Sequence, residues 1–284
     1  QDEADEAAFA SRRGDELPAE LARREARLAK IEAAMRRLEA EAKAEADAER
    51  QRRCEADAER QRNGKQRRGK APKEVDETPA DKAQMSFTDP ELHIMQTPNK
   101  GWDYCGNAQA SVDGAYQIIV ACDVTDATND KQQAAPMAQA ILETLEQAAI
   151  APHRNAAGEV PVIPATLDSG YYSEAATQAL EALGFEPYIA TARQRHHALE
   201  SEPLESSATA QERMAAKVRS PAGQALYSRR KVIVEPVFGQ IKEARGFRRF
   251  LLRGLDKVRG EWRLVCVGHN LLKLWRYGSA LRTV

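Results

Sequence analysis

The stretch GNAQASVDGAYQIIVACDVT, residues 106 to 125, decides how this chain folds. Its first part, GNAQASVD (106–113), alternates in polarity, and its last part, QIIVACDVT (117–125), is rich in residues that favour β-structure. Asp113 and Gly114 lie between the two parts, and Asp-Gly is a frequent sequence in the turn of a β-hairpin. The stretch therefore predicts two antiparallel strands.

The segments on either side of this hairpin alternate between strand and helix patterns. FTDPELHIM (87–95) predicts a short strand interrupted at Pro90, and VPVIPATLD (160–168) predicts an apolar strand that ends in Asp168. The remaining predicted elements are helices at 130–149, 173–184, 208–218, 222–245 and 257–278 and a short strand at 187–190. In chain order, three antiparallel strands precede alternating helices and strands. We expect an α/β fold with a mixed five-stranded sheet flanked by helices.

A long charged segment precedes this α/β region. Residues 15–62 predict one helix, and apolar residues occupy heptad positions from Leu17 to Leu38. Beyond Leu38 the apolar seam stops, and EADAERQRR (45–53) is repeated almost unchanged as EADAERQRN (55–63). The first half of the helix therefore predicts either a coiled coil or a lone helical spacer.

The composition changes after this helix, which divides the chain into three parts. Residues 1–63 form the predicted charged helix, and residues 64–85, with their Gly, Pro and charged residues, predict a flexible linker. Residues 86–284 remain as the predicted α/β domain.

Charge is distributed unevenly within that last part. Residues 86–189 carry 14 Asp/Glu and 3 Lys/Arg, whereas residues 190–284 carry 8 Asp/Glu and 19 Lys/Arg, although the net charge of the chain is only −1. An acidic half joined to a basic half suits a metal centre beside a phosphate-binding surface.

Other features of the sequence exclude several classes of protein. The four cysteines are isolated, which argues for a reducing compartment and against a structural zinc site. No apolar run approaches 18 residues and no signal peptide is evident, so we expect a cytoplasmic protein without a membrane partner. Neither a P-loop nor a GxGxxG sequence is present, so we expect no nucleotide cofactor.

Three carboxylates are the candidates for the metal centre. Asp168 closes an apolar strand, and functional groups gather at the carboxyl ends of strands in open α/β sheets. Asp89 would lie beside Asp168 if the first strand neighbours the fourth, and Glu235 comes from a helix rich in cationic side chains. Two aspartates on neighbouring strands and a glutamate on a helix can hold two divalent metal ions about 3.5–4 Å apart.

The first aspartate has competitors. Asp113 follows a β-prone run, although its place in the hairpin turn gives it an adequate structural role. Asp123 and Asp130 are weaker candidates at the third strand and the start of the first helix of this domain. Apolar residues flank His269, so we expect it to be a buried and hydrogen-bonded helix residue rather than a ligand.

The sequence resembles the catalytic domain of DDE-type insertion-sequence transposases over residues 86–278. The resemblance rests on FTDPELHIM, on GNAQASVD followed by QIIVACDVT, on LDSGYYS and on YSRRKVIVEPVFGQIK. It implies an RNase H-like fold, a DDE triad, dependence on Mg²⁺ (or Mn²⁺) as two ions, and cutting and joining of DNA ends. Asp168 corresponds to the family's aspartate before Gly-Tyr, Glu235 to its signature glutamate and Asp89 to its first aspartate.

The resemblance also implies a DNA-binding helix around Glu235. The predicted DNA-binding residues are Tyr227, Arg230, Lys231 and Lys242. On a continuous helix Tyr227, Lys231 and Glu235 lie one turn apart, so this geometry favours Lys231 over Arg230 as the cation beside Glu235. Pro236 is expected to kink the helix or to start a new one.

The expected function is therefore DNA transposition by a homodimer that binds double-stranded DNA. One alternative is a nuclease of the same fold, which cleaves DNA but does not join it. The other is an inactive or truncated transposase remnant that acts only as a DNA-binding or coiled-coil protein. Members of the family usually carry a helical DNA-binding domain upstream, and we expect this chain to be a fragment without it.

Overall fold

The computed structural model of the 284-residue chain describes residues 19–62, 64, 72–97, 100–150, 160–191 and 208–281. The chain divides into two units, Gln1–Pro90 and Glu91–Val284. The predicted helical residues 15–18 and the linker residues 65–71 lie outside the described part. The sequence-based boundaries at 63/64 and 85/86 stay a prediction.

The N-terminal unit consists mainly of one helix, α1 (Ala19–Arg62). Ion pairs between residues three or four apart cover its surface, such as Arg53–Glu49 at 2.7 Å and Arg60–Asp57 at 2.8 Å. Such solvent-exposed pairs contribute little to helix stability, because water and salt screen them. The apolar heptad residues Leu28 and Met35 are 55% and 56% exposed. Coiled-coil pairing of this helix therefore stays a prediction.

Among the residues that the structure describes, the strands of the second unit pair in three two-stranded ladders. β1 (His93–Gln96) is antiparallel to β2 (Trp102–Cys105), and β3 (Asn107–Val112) is antiparallel to β4 (Ile119–Thr125). β5 (Ile163–Leu167) and β6 (Phe185–Ile189) are parallel, with a helix between them in the sequence. The hairpin around Asp113-Gly114 is confirmed, whereas the single five-stranded sheet is not. β2 was not predicted, and the first strand begins after the Asp89-Pro90 step rather than across it.

Helices alternate with these strands and then complete the chain. Their bounds are α2 (Ala134–Gln147), α3 (Glu174–Ala182), α4 (Ala210–Arg219), α5 (Pro221–Ser228), α6 (Arg230–Gly239) and α7 (Leu255–Leu281). α3 follows the predicted signals, because the Ser173 hydroxyl accepts a hydrogen bond from Ala176 N at 3.0 Å and Gly184 after its end has φ +83°. None of the described helices combines the length and apolarity that crossing a membrane requires.

The described residues of the second unit form three apolar clusters, two of which contain strands β3 to β6 and the helices that pack on them. The first joins the β3–β4 hairpin to α6 and α7 through buried residues that include Val124, Val237 and Trp262. The second joins α2 and α3 to the β5–β6 pair through residues that include Ala138, Leu180 and Ile189. Burial of each large apolar side chain contributes roughly 1.5–3 kcal/mol, so these clusters fix where β3, β5 and α6 lie.

The predicted helix 222–245 is broken into separate pieces. α5 ends at Ser228, α6 begins at Arg230, and a π-helical turn (Gln240–Ala244) follows α6. Arg229, at which α5 and α6 are separated, itself keeps helical dihedral angles of φ −63° and ψ −22°.

Candidate active site

A cleft of about 860 Å³ opens between β3, β5 and α6. Carboxylates from four different segments line it: Asp113, Asp130, Asp168 and Glu235. The lining also includes the cationic residues Arg229 and Arg230. The cleft thus brings together acidic residues from the strand region and basic residues from the C-terminal helices.

Asp168 stands where β5 ends at the edge of this cleft. Its Oδ1 accepts a hydrogen bond from Ser169 N at 2.7 Å, which starts a short 3₁₀ turn (Ser169–Tyr171). The Asp168 side chain is 59% exposed. Since Ser173 caps the following α3, Asp168 is not needed as the cap of that helix. The second carboxylate oxygen of Asp168 faces the cleft and Arg230.

A network of amide side chains connects this turn to β3. Asp130 Oδ1 accepts hydrogen bonds from Asn107 Nδ2 at 2.7 Å and from Gln109 Nε2 at 2.8 Å. Gln109 Oε1 in turn accepts a hydrogen bond from the Tyr171 hydroxyl. Gly170 packs so closely that an added Cβ would lie 3.2 Å from Asp130 Oδ2. The network therefore holds the turn that carries Asp168 against β3.

The sequence interpretation missed most of this network. It treated Asp130 as a weak candidate ligand and gave no role to Asn107, Gln109 or Tyr171. One signal was available: Asn107 and Gln109 are two residues apart on β3 and so share one face of the strand. Burial, and after it the charges of Asp130 and Asp168, raise the pKa of Tyr171, so its hydroxyl keeps the proton that it donates to Gln109.

α6 is held against the turn of the β3–β4 hairpin by polar contacts. Pro236 lies inside α6 and has no N–H to give to Val232 O, and Gln117 Nε2 donates to that oxygen at 2.8 Å instead. Arg229 donates from an Nη atom to Gly114 O at 3.1 Å. The helix therefore continues through Pro236, so of the two expected outcomes, a kink or a new start, the new start does not occur. These contacts set the position of Glu235 at the cleft.

Arg230 lies between Asp168 and Glu235. One Nη atom is 3.7 Å from Asp168 Oδ2, and the other is 3.9 Å from Glu235 Oε1. The Arg230 side chain is only 19% exposed, and its buried Nε has no hydrogen-bond partner among the described atoms. Its guanidinium also lies 5.7 Å from the centroid of the Tyr227 ring. One cation thus joins the two carboxylates that the sequence singled out.

The preference for Lys231 as the cation beside Glu235 is wrong. It assumed one continuous helix, whereas α5 and α6 are separated at Arg229 and it is Arg230 that lies beside both Tyr227 and Glu235. Lys231 is exposed. Lys242 is also exposed, and its Nζ lies 5.4 Å from the Phe238 ring centroid. Binding of DNA by any of these residues stays a prediction.

The two candidates for the first aspartate lie in different places. Asp113 borders the cleft, and its Oδ2 accepts hydrogen bonds from Ala115 N at 3.0 Å and Tyr116 N at 2.7 Å in the hairpin turn. Asp89 belongs to the N-terminal unit, where it is 8% exposed and its backbone N–H donates to Ser86 Oγ at 3.1 Å. Asp89 as first metal ligand stays a prediction, with Asp113 as the alternative.

The residues at the cleft fit a divalent cation in their chemistry. Carboxylate oxygens are the ligands that Mg²⁺ and Mn²⁺ prefer, and Asp168 and Glu235 already share one positive group. Within the described ranges, no group of three His, Cys, Asp or Glu residues is placed to hold a metal ion. His269 is buried, and its Nε2 lies 2.9 Å from Gln117 O, which confirms that it is a hydrogen-bonded core residue.

The C-terminal part of this unit matches a known family. Residues 189–275 match the family model described as Transposase DDE domain. The resemblance to DDE-type transposases is confirmed. The DDE domain match covers less than a third of the 284 residues and includes Arg230 and Glu235, whereas Asp168 precedes it. Comparisons with curated proteins and with solved structures gave no match.

A transposase DDE domain implies an enzyme that processes nucleic acid, with DNA as its substrate.

Proposed function

We propose that this chain is a metal-dependent DNA transposase that hydrolyses phosphodiester bonds at the ends of a mobile element and joins the resulting 3′-OH to target DNA. The observation that carries the proposal is the approach of Asp168 and Glu235 to the same guanidinium from two distant parts of the sequence. The proposal includes an RNase H-like arrangement, an active homodimer and double-stranded DNA as partner.

Asp168 and Glu235 would hold the divalent metal, with Asp89 as the third carboxylate and Asp113 as the alternative. Two bound Mg²⁺ or Mn²⁺ ions would supply an activated water and stabilise the leaving oxygen. Mutual repulsion opposes the gathering of several carboxylates at one place unless positive charge offsets it. Arg230 supplies such charge to Asp168 and Glu235.

The protein residues around the carboxylates would bind and orient the DNA. Arg230 is an extended, permanently charged group, and a guanidinium matches the geometry of a phosphate. The Tyr227 ring makes a cation–π contact with this guanidinium. Lys231 on α6 and Lys242 in the π-helical turn are exposed and would contact neighbouring phosphates. The amide network keeps the Asp168 turn in place while DNA binds.

A strand-transfer assay with Mg²⁺ or Mn²⁺ tests this proposal. The substrates are duplexes that carry the DNA flanking the gene, together with a supercoiled target plasmid. We expect cleavage by the wild-type chain, joined products from pre-cleaved ends and neither product from Asp168→Asn or Glu235→Gln. Cleavage without joining would identify the nuclease alternative, and DNA binding without cleavage would identify the inactive remnant.

A further inference from the structure

The loop between the π-helical turn and α7 has an unusual composition. Residues 245–254, RGFRRFLLRG, contain four arginines and no acidic residue. We call this segment the arginine loop. Its position in the chain lies within the region that matches the transposase DDE domain.

Aromatic residues anchor the arginine loop to the core. The Phe250 ring lies 6.4 Å from the Trp262 ring in an edge arrangement, and the Phe247 ring lies 6.5 Å from Trp262 in a stacked one. Phe247 and Phe250 also contact each other, with 5.6 Å between their centroids. Trp262 is itself buried and belongs to the main apolar cluster. The loop therefore has a fixed base.

The tip of the loop is held by a carboxylate of α7. Glu261 accepts hydrogen bonds from Leu251 N at 3.0 Å and from Leu252 N at 3.1 Å. The backbone amides of the tip are thus satisfied within the protein. The side chains of Leu251 and Leu252 remain 72% and 49% exposed. Exposure of apolar side chains to water is unfavourable, and exposed apolar residues together mark interaction sites. The tip of the loop is therefore a candidate contact surface.

A glycine with a positive φ lies near each end of the arginine loop. Gly246 and Gly254 have φ values of +69° and +82°, which glycine adopts far more easily than other residues. Beyond the second glycine, Leu255 N donates to a carboxylate oxygen of Glu91.

The arginines of the loop differ in their partners. Arg248 forms an ion pair with Glu243, and Arg245 donates to Gly268 O at 3.3 Å. Arg249 and Arg253 are exposed, and neither forms an ion pair with any residue that the structure describes. Two guanidinium groups thus face solvent beside an exposed apolar tip.

We propose that the arginine loop is a DNA contact in which Arg249 and Arg253 bind backbone phosphates while Leu251 and Leu252 insert into the minor groove of the duplex. The inference rests on the proposed function. Guanidinium groups bind phosphate in a bidentate manner, and apolar side chains such as Leu act as wedges that partly unstack base steps. A polyanion fits a loop without any acidic residue better than a protein surface of mixed charge.

The test compares DNA binding by three forms of the full chain at several salt concentrations. They are the wild type, Arg249→Gln/Arg253→Gln, and the control Arg219→Gln/Arg276→Gln, which removes the same charge from exposed positions on α4 and α7. The slope of log K against log salt is negative, and each lost phosphate contact reduces its magnitude by about 0.9. We expect the magnitude to fall by about 1.8 for the loop variant and to stay unchanged for the control.

The leucines are tested with short duplexes that contain 2-aminopurine, whose fluorescence rises when a base step unstacks. We expect binding of the wild type to raise this fluorescence. Binding of the Leu251→Ser/Leu252→Ser variant should leave the fluorescence unchanged, while the slope of log K against log salt stays as in the wild type. A wild type that binds without a rise in fluorescence would overturn the wedge. A loop variant with the wild-type slope, or with the same decrease as the control, would overturn the phosphate contacts. A wild type that does not bind DNA would overturn the proposed function as well.

Discussion

Two aspartates border the same cleft, and each lies just beyond the end of a strand, yet their surroundings differ. Asp113 follows β3, and its carboxylate accepts two backbone hydrogen bonds that shape the hairpin turn. Asp168 follows β5, accepts one backbone hydrogen bond and faces the Arg230 guanidinium at 3.7 Å. Both residues are aspartates just after a strand, but the carboxylate of Asp113 binds the backbone of its own turn, whereas that of Asp168 lies beside a cation.

This difference shows that a strand end is only part of what makes a site. Asp168 becomes a candidate ligand because α6 brings Arg230 next to it, and the same guanidinium also approaches Glu235. Gln117 and Arg229 hold α6 in place. Asp113 lies in the same cleft but is engaged in local structure.

The largest expected effect comes from removing the charge of either carboxylate beside Arg230. Asp168→Asn and Glu235→Gln should each lower metal-dependent DNA cleavage by a factor on the order of 10³ or more, because residues that act as one unit fail together. The fold should remain, since both side chains are more than half exposed. Cleavage rates with Mn²⁺ and circular dichroism measure the two effects. Cleavage at the wild-type rate by either variant would show that the carboxylate is not needed.

The next effect concerns Arg230 and its neighbour Lys231. Arg230→Gln should reduce cleavage by about 10²-fold, because the group that neutralises and orients both carboxylates is lost. Lys231→Gln, the matched control on the same helix, removes an exposed charge and should reduce cleavage far less. Single-turnover cleavage rates compare them. If Lys231→Gln reduced cleavage more than Arg230→Gln, the result would favour Lys231 as the cation beside Glu235, as expected for one continuous helix.

A third prediction concerns the network that holds the Asp168 turn to β3. Tyr171→Phe removes the hydroxyl that donates to Gln109 Oε1 and should lower the free energy of unfolding by about 1–3 kcal/mol. Tyr172→Phe is the control, since it makes the same chemical change one residue later. Urea denaturation measures both. Equal stability of the two variants would mean that the network does not hold the turn.

The smallest effect is expected at Asp113. Asp113→Ala should cost about 1 kcal/mol of stability, because two turn amides lose their acceptor, while cleavage stays within a few-fold of the wild type. Asp256→Ala, at a side chain that is 98% exposed, should leave stability nearly unchanged. Denaturant titration and the cleavage assay check these expectations. Loss of cleavage in Asp113→Asn would instead make Asp113 the first metal ligand.

Much of the element order could be predicted because it depends on local sequence. The Asp-Gly turn, the serine cap of α3 and the glycine after it each act over a few residues, and the structure contains all three. The strand pairing could not be predicted in the same way, since it depends on contacts between distant segments. The expected single sheet is accordingly not confirmed, and the described strands pair in three two-stranded ladders.

The site shows the same limit. Asp168 and Glu235 could be selected from their motifs, but the cation between them could not. The partner that replaces the missing N–H of Pro236 is Gln117, which lies 115 residues from Val232 in the sequence. No local pattern reveals this contact, or that Arg230 rather than Lys231 lies beside Glu235.

Binding of Mn²⁺ to the wild-type chain and to single-carboxylate variants tests the central claim most directly. Isothermal titration calorimetry should show that Asp168→Asn and Glu235→Gln each lose most of the affinity, that Asp89→Asn also weakens binding, and that Asp113→Asn keeps the wild-type affinity. This pattern would place the metal between the carboxylates that Arg230 joins. Unchanged Mn²⁺ affinity in both Asp168→Asn and Glu235→Gln would contradict the account.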